Sequence, residues 1–226
     1  MSYKKLGIFV ATPVPGGGEW LTPPLTPGEA EGLYRTFLAD LFVRFTRLKK
    51  ASLTVFVTGP YPDALSDLVR PGVSVARQEG TALGERLEDA FRALLAGDGA
   101  PACVIGSTGP DLPLAYVKRA FVQLKHRDVV LGPAVGGGCY LVGLKRSVPG
   151  LFREIDSDSG VFRDTARAAE SRGLSLGLLP PWYDVGGMDS LSFLETMLIA
   201  RRIAGGDRLP RVEQALSGIR ERIRAR

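Results

Sequence analysis

A chain of 226 residues, 45% hydrophobic and 23% charged, is long enough for one α/β domain with its own core, and no apolar run in it approaches the ~20 residues that span a bilayer. The run Leu6–Ala11 is too short for the apolar centre of a secretory leader and carries no cleavage pattern, so it reads as a first strand and the protein as cytoplasmic. The net charge of +5 is local: residues 201–226 hold eight arginines against Asp207, Glu213 and Glu221, while residues 1–200 balance 21 basic groups with 21 acidic ones.

Short apolar runs alternate with helical patterns along the whole chain, which predicts a three-layer α/β sandwich with a mainly parallel sheet. Leu6–Thr12 is the first strand. Thr26 and Glu29 then form a capping box for a helix that buries Leu33, Phe37, Leu41 and Phe45. Strand Ser52–Thr58, a short helix near Pro62–Val69 and strand Val73–Ala76 come next. A helix from about Leu83 to Leu95 buries Leu87, Phe91 and Leu94, ahead of the fully apolar strand Ala102–Ser107. Helix Leu114–Lys125, strand Asp128–Leu131 and strand Cys139–Leu144 lead to helix Val161–Ser171, strand Leu174–Leu179 and helix Ser190–Ile203. With no internal repeat or low-complexity linker, residues 1–226 read as a single domain.

The segment at about 209–225 places Leu209, Val212, Leu216, Ile219 and Ile223 at helical spacing. It reads as a basic amphipathic helix packed on the body or on a second subunit of a homo-oligomer, with its arginines in solvent. No aromatic side chain interleaves those arginines, which argues against a nucleic-acid surface, and no membrane contact is expected. Cys103 and Cys139 lie in apolar runs and read as reduced, buried thiols. One histidine, His126 at a helix end, and no paired-cysteine spacing leave no zinc site.

Ligands of open α/β sheets bind beyond the carboxyl ends of the strands. The segments there carry five motifs: Pro13-Val14-Pro15-Gly16 with Pro23-Pro24-Leu25-Thr26; Gln78-Glu79-Gly80 with Leu83-Gly84-Glu85-Arg86; Gly106-Ser107-Thr108-Gly109-Pro110-Asp111; Gly132-Pro133-Ala134-Val135-Gly136-Gly137-Gly138-Cys139-Tyr140; and Asp184-Val185-Gly186-Gly187-Met188-Asp189-Ser190. Gly16-Gly17-Gly18 admits two readings, a phosphate cradle or a plain loop, and Asp111 reads as the cap of the helix after it. Glu85 and Arg86 sit early on a helix, where they are either ligand contacts or a local charge pair.

In this order, from Leu6 to about Leu194, the motifs resemble those of bacterial transferases related to 2-phospho-lactate guanylyltransferase, some of them radical-SAM-associated, of the GT-A nucleotide-diphospho-sugar transferase fold. The resemblance implies a nucleotide or nucleotide-sugar site formed by Pro13, Pro15, Gly16, Gln78, Gly84, Glu85, Arg86, Ser107, Thr108, Gly136, Gly137 and Asp184, with magnesium or manganese as the family's cation. Where that family places charged residues, this chain has Ala11, Glu19, Leu21, Ala82, Thr108, Gly136 and Gly186. Strand and helix cores, turn glycines and prolines are kept. The pattern implies a transferase scaffold with weak or absent metal-dependent catalysis, a pseudoenzyme, with Asp184 the one remaining candidate metal ligand. The alternative is an active transferase on a nucleotide-activated donor, using Asp184, Asp189 or Asp111 for a metal, or none.

Overall fold

A computed structural model of the chain describes residues 4–10, 17–58, 65–97 and 99–224. Seven strands form one sheet: β1 (Lys4–Val10), β2 (Ala51–Val57), β3 (Val73–Arg77), β4 (Ala102–Gly106), β5 (Val129–Pro133), β6 (Cys139–Leu144) and β7 (Leu176–Leu178). Six helices accompany them: α1 (Pro27–Phe45), α2 (Leu83–Leu95), α3 (Leu114–Gln123), α4 (Val161–Ser171), α5 (Met188–Ile203) and α6 (Pro210–Arg224). The expected α/β architecture is present. The short helix expected near 62–69 falls partly outside the described residues, and the rest is a single turn in which the Leu68 and Val69 amides donate to the Leu65 carbonyl. Thr12, expected in the first strand, also lies outside the described residues.

The strand order is β3-β2-β1-β4-β6-β5-β7. β1 pairs in parallel with β2 and β4, with Ile8 opposite both Val55 and Ile105, and β2 pairs in parallel with β3. β6 runs antiparallel to both β4 and β5, and β7 returns parallel to β5. Alternate residues of each central strand bury opposite faces. Leu6, Ile8 and Val10 pack with Phe37 and Leu41 of α1, Phe121 of α3 and Leu194 of α5. Phe9, Val104 and Val142 pack with Leu87 and Phe91 of α2 and with Val161 of α4. Each fully buried side chain of this size contributes roughly 1.5–3 kcal/mol.

Helix α1 begins as its sequence predicts. The Thr26 amide donates to Glu29 Oε2 at 2.9 Å, and Thr26 Oγ1 accepts from the Glu29 amide at 3.4 Å. Its other end does something the apolar pattern did not announce. Asp40, 3% exposed, turns into the layer beneath α6. Its Oδ1 accepts from Arg211 Nη1 at 3.0 Å and its Oδ2 from the Val212 amide at 3.2 Å. A carboxylate of α1 therefore caps the first turn of α6, where free amides and the helix dipole favour negative charge. Arg44, also buried, donates to Asp207 at 3.1 Å just ahead of α6.

Val212 and Leu216 are buried and Ile219 packs against the core, so α6 docks through the expected apolar stripe. The side chain of Ile223 lies outside the described residues. As expected of a solvated basic face, Arg211 and Arg220 of α6 are exposed, but they and Arg222 also find acids on the body. Arg211 pairs with Asp40, Arg220 with Glu195 of α5 at 2.7 Å, and Arg222 donates to Glu29 of α1 at 2.8 Å. Apolar periodicity places a helix on the body but says nothing of the acids flanking its landing site.

Removing a buried carboxylate that serves both a cap and a guanidinium leaves each uncompensated. Asp40→Ala is expected to lower unfolding free energy by about 2–4 kcal/mol in urea titration, against less than ~1 kcal/mol for Glu195→Ala at the exposed pair.

Candidate functional site

Val10, Val57, Arg77, Gly106 and Pro133 end their strands at one edge of the sheet, and Cys139 starts the reversed strand β6 at that same edge. The connections that leave this edge are tied together by their backbones. The Val185 amide donates to the Thr108 carbonyl at 2.9 Å, the Val135 amide to the Trp182 carbonyl at 2.8 Å, and the Trp182 amide to the Pro133 carbonyl at 3.0 Å. Between them opens a cleft of about 310 Å³. Phe9, Leu83, Leu87, Val104, Val142 and Val161 make its apolar walls. Trp20, Ser107, Thr108, Cys139, Asp158 and Asp184 bring the polar groups, and Gly106, Gly138 and Gly186 bring backbone.

Asp184 and Thr108 meet inside the cleft, where Thr108 Oγ1 donates to Asp184 Oδ1 at 3.3 Å. Burial pushes the Asp184 carboxyl above the usual range; the Thr108 hydrogen bond opposes the shift, and the nearby Asp158 and Asp111 charges add to it. Ser107 Oγ shares a 2.8 Å hydrogen bond with the Tyr34 hydroxyl, and the Tyr34 ring meets Trp20 edge-on at 5.3 Å. The Trp20 indole nitrogen is buried and makes no hydrogen bond among the described residues. Cys139 donates to the Leu141 carbonyl at 2.9 Å, and burial holds its thiol pKa at about 12, with Asp184 adding to the rise. It stays a thiol near neutral pH and offers no nucleophile. Cys103 is buried and Cys139 partly so, both free, as expected.

The other predicted site residues sort differently. Pro13, Pro15 and Gly16 lie outside the described residues. Gln78 spends its side chain on the strands: Nε2 donates to the Val10 carbonyl at 2.8 Å and the Phe56 carbonyl at 3.0 Å, and Oε1 accepts from Arg86 at 3.5 Å. Glu85 caps α2, accepting from the Thr81 amide at 2.8 Å and the Ala82 amide at 3.3 Å, and these bonds hold its pKa below the usual range. Gly84 is a packing position, because a Cβ there would sit 2.0 Å from the Phe152 carbonyl oxygen. Gly136 and Gly137, at φ 107 and 97, make an exposed turn between β5 and β6, and their neighbour Gly138 is the one that reaches the cleft. Gly17 and Gly18 form a buried turn against α1, where a Cβ on Gly18 would strike the Ala30 carbonyl at 2.4 Å.

Asp111 is not the helix cap its sequence position indicates. Pro113 stands at that cap. Asp111 is fully buried, taking 2.7 Å and 3.3 Å hydrogen bonds from Tyr183 and Trp182 and an ion pair at 3.0 Å from Arg201, and so fastens α5 to the β4–α3 connection. Asp189 is exposed on the first turn of α5. Sequence reasoning overlooked Trp20, Asp158 and Cys139 as cleft residues. Trp20 does carry a signal, since a tryptophan beside a glycine turn at a strand end has a wall to fill; Asp158, in a run of small polar residues, carries none. Among the described residues no three His, Cys, Asp or Glu side chains are grouped to hold a metal ion.

The fold is that of the nucleotide-diphospho-sugar transferases. A protein of Desulfovibrio desulfuricans G20 provisionally named a nucleotide-diphospho-sugar transferase superposes with a TM-score of 0.81 at 26% identity, over all of this chain and 98% of that one. The 4-diphosphocytidyl-2C-methyl-D-erythritol synthase of Anaerococcus prevotii DSM 20548 shares the fold at TM-score 0.60 and 10% identity, over 87% of this chain and 96% of that one. Rv0371c of Mycobacterium tuberculosis H37Rv does so at 0.55 and 16%, over 86% and 98%. Residues 41–159 match the sequence profile of the bacterial family DUF2064, described as an uncharacterized protein conserved in bacteria, and the chain belongs to that family. No curated protein matches it.

Gly84→Ala must push the α2 start away from the 152–155 turn, and a loss of about 1–3 kcal/mol in chemical denaturation is expected. At Asp184 the folded pKa lies above the unfolded one, so both states are protonated in acid, and folding loses stability as pH rises from the unfolded pKa through the folded one. Asp184→Asn, which keeps an acceptor for Thr108, should therefore raise the melting temperature at neutral pH, with the gain vanishing in acid.

Proposed function

We propose that this chain is a single-domain, nucleotide-diphospho-sugar transferase-like protein whose cleft has lost the means for efficient metal-dependent transfer. The observation that carries this reading is the cleft's own donor set. Thr108 and Gly186 line it, as neutral groups where the resembling transferases carry aspartates, and Asp184 faces Thr108 with a carboxyl that burial biases toward its protonated form. Magnesium is held by one or two ionised carboxylates together with substrate phosphates, and manganese also prefers oxygen donors. Asp158 also lines the cleft, but with Asp184 protonation-prone and a hydroxyl and a glycine in place of two aspartates the set is poorer in anionic oxygen than that need requires. Among the described residues no lysine or arginine lines the cleft to hold a phosphate in place. The order of the five motifs supports the finer likeness to relatives of 2-phospho-lactate guanylyltransferase.

The fold's other members supply the choice of probe. One structure of Rv0371c is a manganese complex. Calorimetry with manganese, alone and with a nucleoside triphosphate, compares wild type with Thr108→Asp/Gly186→Asp. The second change meets no steric obstacle, because a Cβ on Gly186 finds no atom within 4 Å. Wild type is expected to show no manganese binding below ~1 mM, and the double variant to gain about tenfold or more, or ~1.4 kcal/mol. Tight wild-type binding that disappears in Asp184→Asn overturns this reading and restores an active, metal-using transferase with a rearranged site.

A further inference from the structure

We propose that the cleft recognises an uncharged, hydroxyl-bearing ring, of the nucleoside or sugar kind, in preference to its phosphorylated form. The inference rests on the transferase-like reading above and names what such a site still binds.

Charge gives the first ground. Among the described residues, the formally charged side chains lining the cleft are Asp158 and Asp184, both acids. Residues 11–16 and 59–64, outside the described residues, contain no lysine, arginine or histidine either. Arg86 is one residue from the cleft wall at Leu87, but it does not line the cleft; its Nη1 donates to Gln78 at 3.5 Å and its Nε is buried with no partner among the described residues. Among the described residues, a phosphate entering here meets two acids and no lining cation to balance it.

The backbone gives the second. A fold lacking basic side chains can still hold phosphate on the free amides of helix starts. Here the chain itself takes amides that lie just ahead of two such starts. Glu85 accepts from the amides of Thr81 and Ala82 at the start of α2. The Gly186 amide ahead of α5 donates to Ser190 Oγ at 3.0 Å, and to the Asp184 carbonyl at 3.1 Å.

The remaining polar groups complete the argument. Asp184 commits Oδ1 to Thr108, and its Oδ2 makes no hydrogen bond among the described residues. The Trp20 indole N–H is buried without an acceptor. The carboxyl oxygen takes a donor when ionised and an acceptor when protonated, the indole N–H takes an acceptor, and a hydroxyl answers each. Phe9, Trp20, Leu87 and Val104 offer the apolar walls on which the C–H face of a ring rests, and a cleft of about 310 Å³ is of ring size.

Calorimetry in EDTA with three matched pairs tests this: cytidine and CTP, guanosine and GTP, glucose and glucose 1-phosphate. In at least one pair the neutral member is expected to bind about tenfold or more tightly than its phosphorylated partner. A response to nucleosides alone or to glucose alone tells which kind of ring is held. For the neutral ligand that binds, Asp184→Asn should weaken affinity about tenfold while leaving the folded protein at least as stable, and Trp20→Phe, which keeps a ring but not the N–H, about three- to tenfold. Equal or tighter binding of every phosphorylated member, or no heat from any neutral member up to ~10 mM, overturns the proposal. Because EDTA removes divalent ions, this failure is distinct from that of the manganese experiment.

Discussion

Parallel strands covered by helices on both faces leave a ligand one approach, the edge where the strands end. In this chain that constraint is strict at β4. Cys103 and Ile105 lie beneath one helical layer and Val104 beneath the other, so β4 meets the cleft only from Val104 onward. The reversal of β6 sharpens it. An antiparallel strand beside β4 begins at the edge where β4 ends, and so it delivers Gly138 and Cys139 to the same opening as Thr108 and Asp184. The cleft is a product of topology before it is a product of side-chain chemistry.

What fills the opening is then a matter of which side chains the scaffold tolerates. Gly84, Gln78 and Glu85 hold the α2 start in place and answer to backbone geometry, while Gly186, where an added Cβ meets no atom within 4 Å, answers to no such packing demand. Such positions can change charge without unfolding the protein. That separation is the physical reason a fold of this kind can persist while side chains at its strand ends change.

The elements were largely legible because each announces itself through period and punctuation. The alternation of Leu87, Phe91 and Leu94 sets α2, and the box of Thr26 and Glu29 sets the start of α1. The direction of β6 was not read, though the connection decides it: five residues between Pro133 and Cys139 cannot cross over a sheet to make a parallel pair. The site was harder to read. A glycine kept for close packing, such as Gly84, and a glycine kept for a ligand look the same, since both record only the absence of a Cβ. A buried acid such as Asp111 or Asp40 is equally silent, because its partners, Tyr183 and Arg201 in one case and Arg211 in the other, lie more than 70 residues along the chain.

The link between Asp40 and α6 has a meaning in time as well as in space. The carboxylate and the helix start it caps are separated by 171 and 172 positions. At ribosomal rates of ~5–20 residues per second, Asp40 is made roughly 10–30 s before its partners. Throughout that interval the outer face of α1 has its acid but neither the guanidinium nor the amide that balance it. The nascent chain can assemble the sheet and its first helical covers, yet that face stays wet until α6 arrives, which makes the seating of α6 the step that closes the fold.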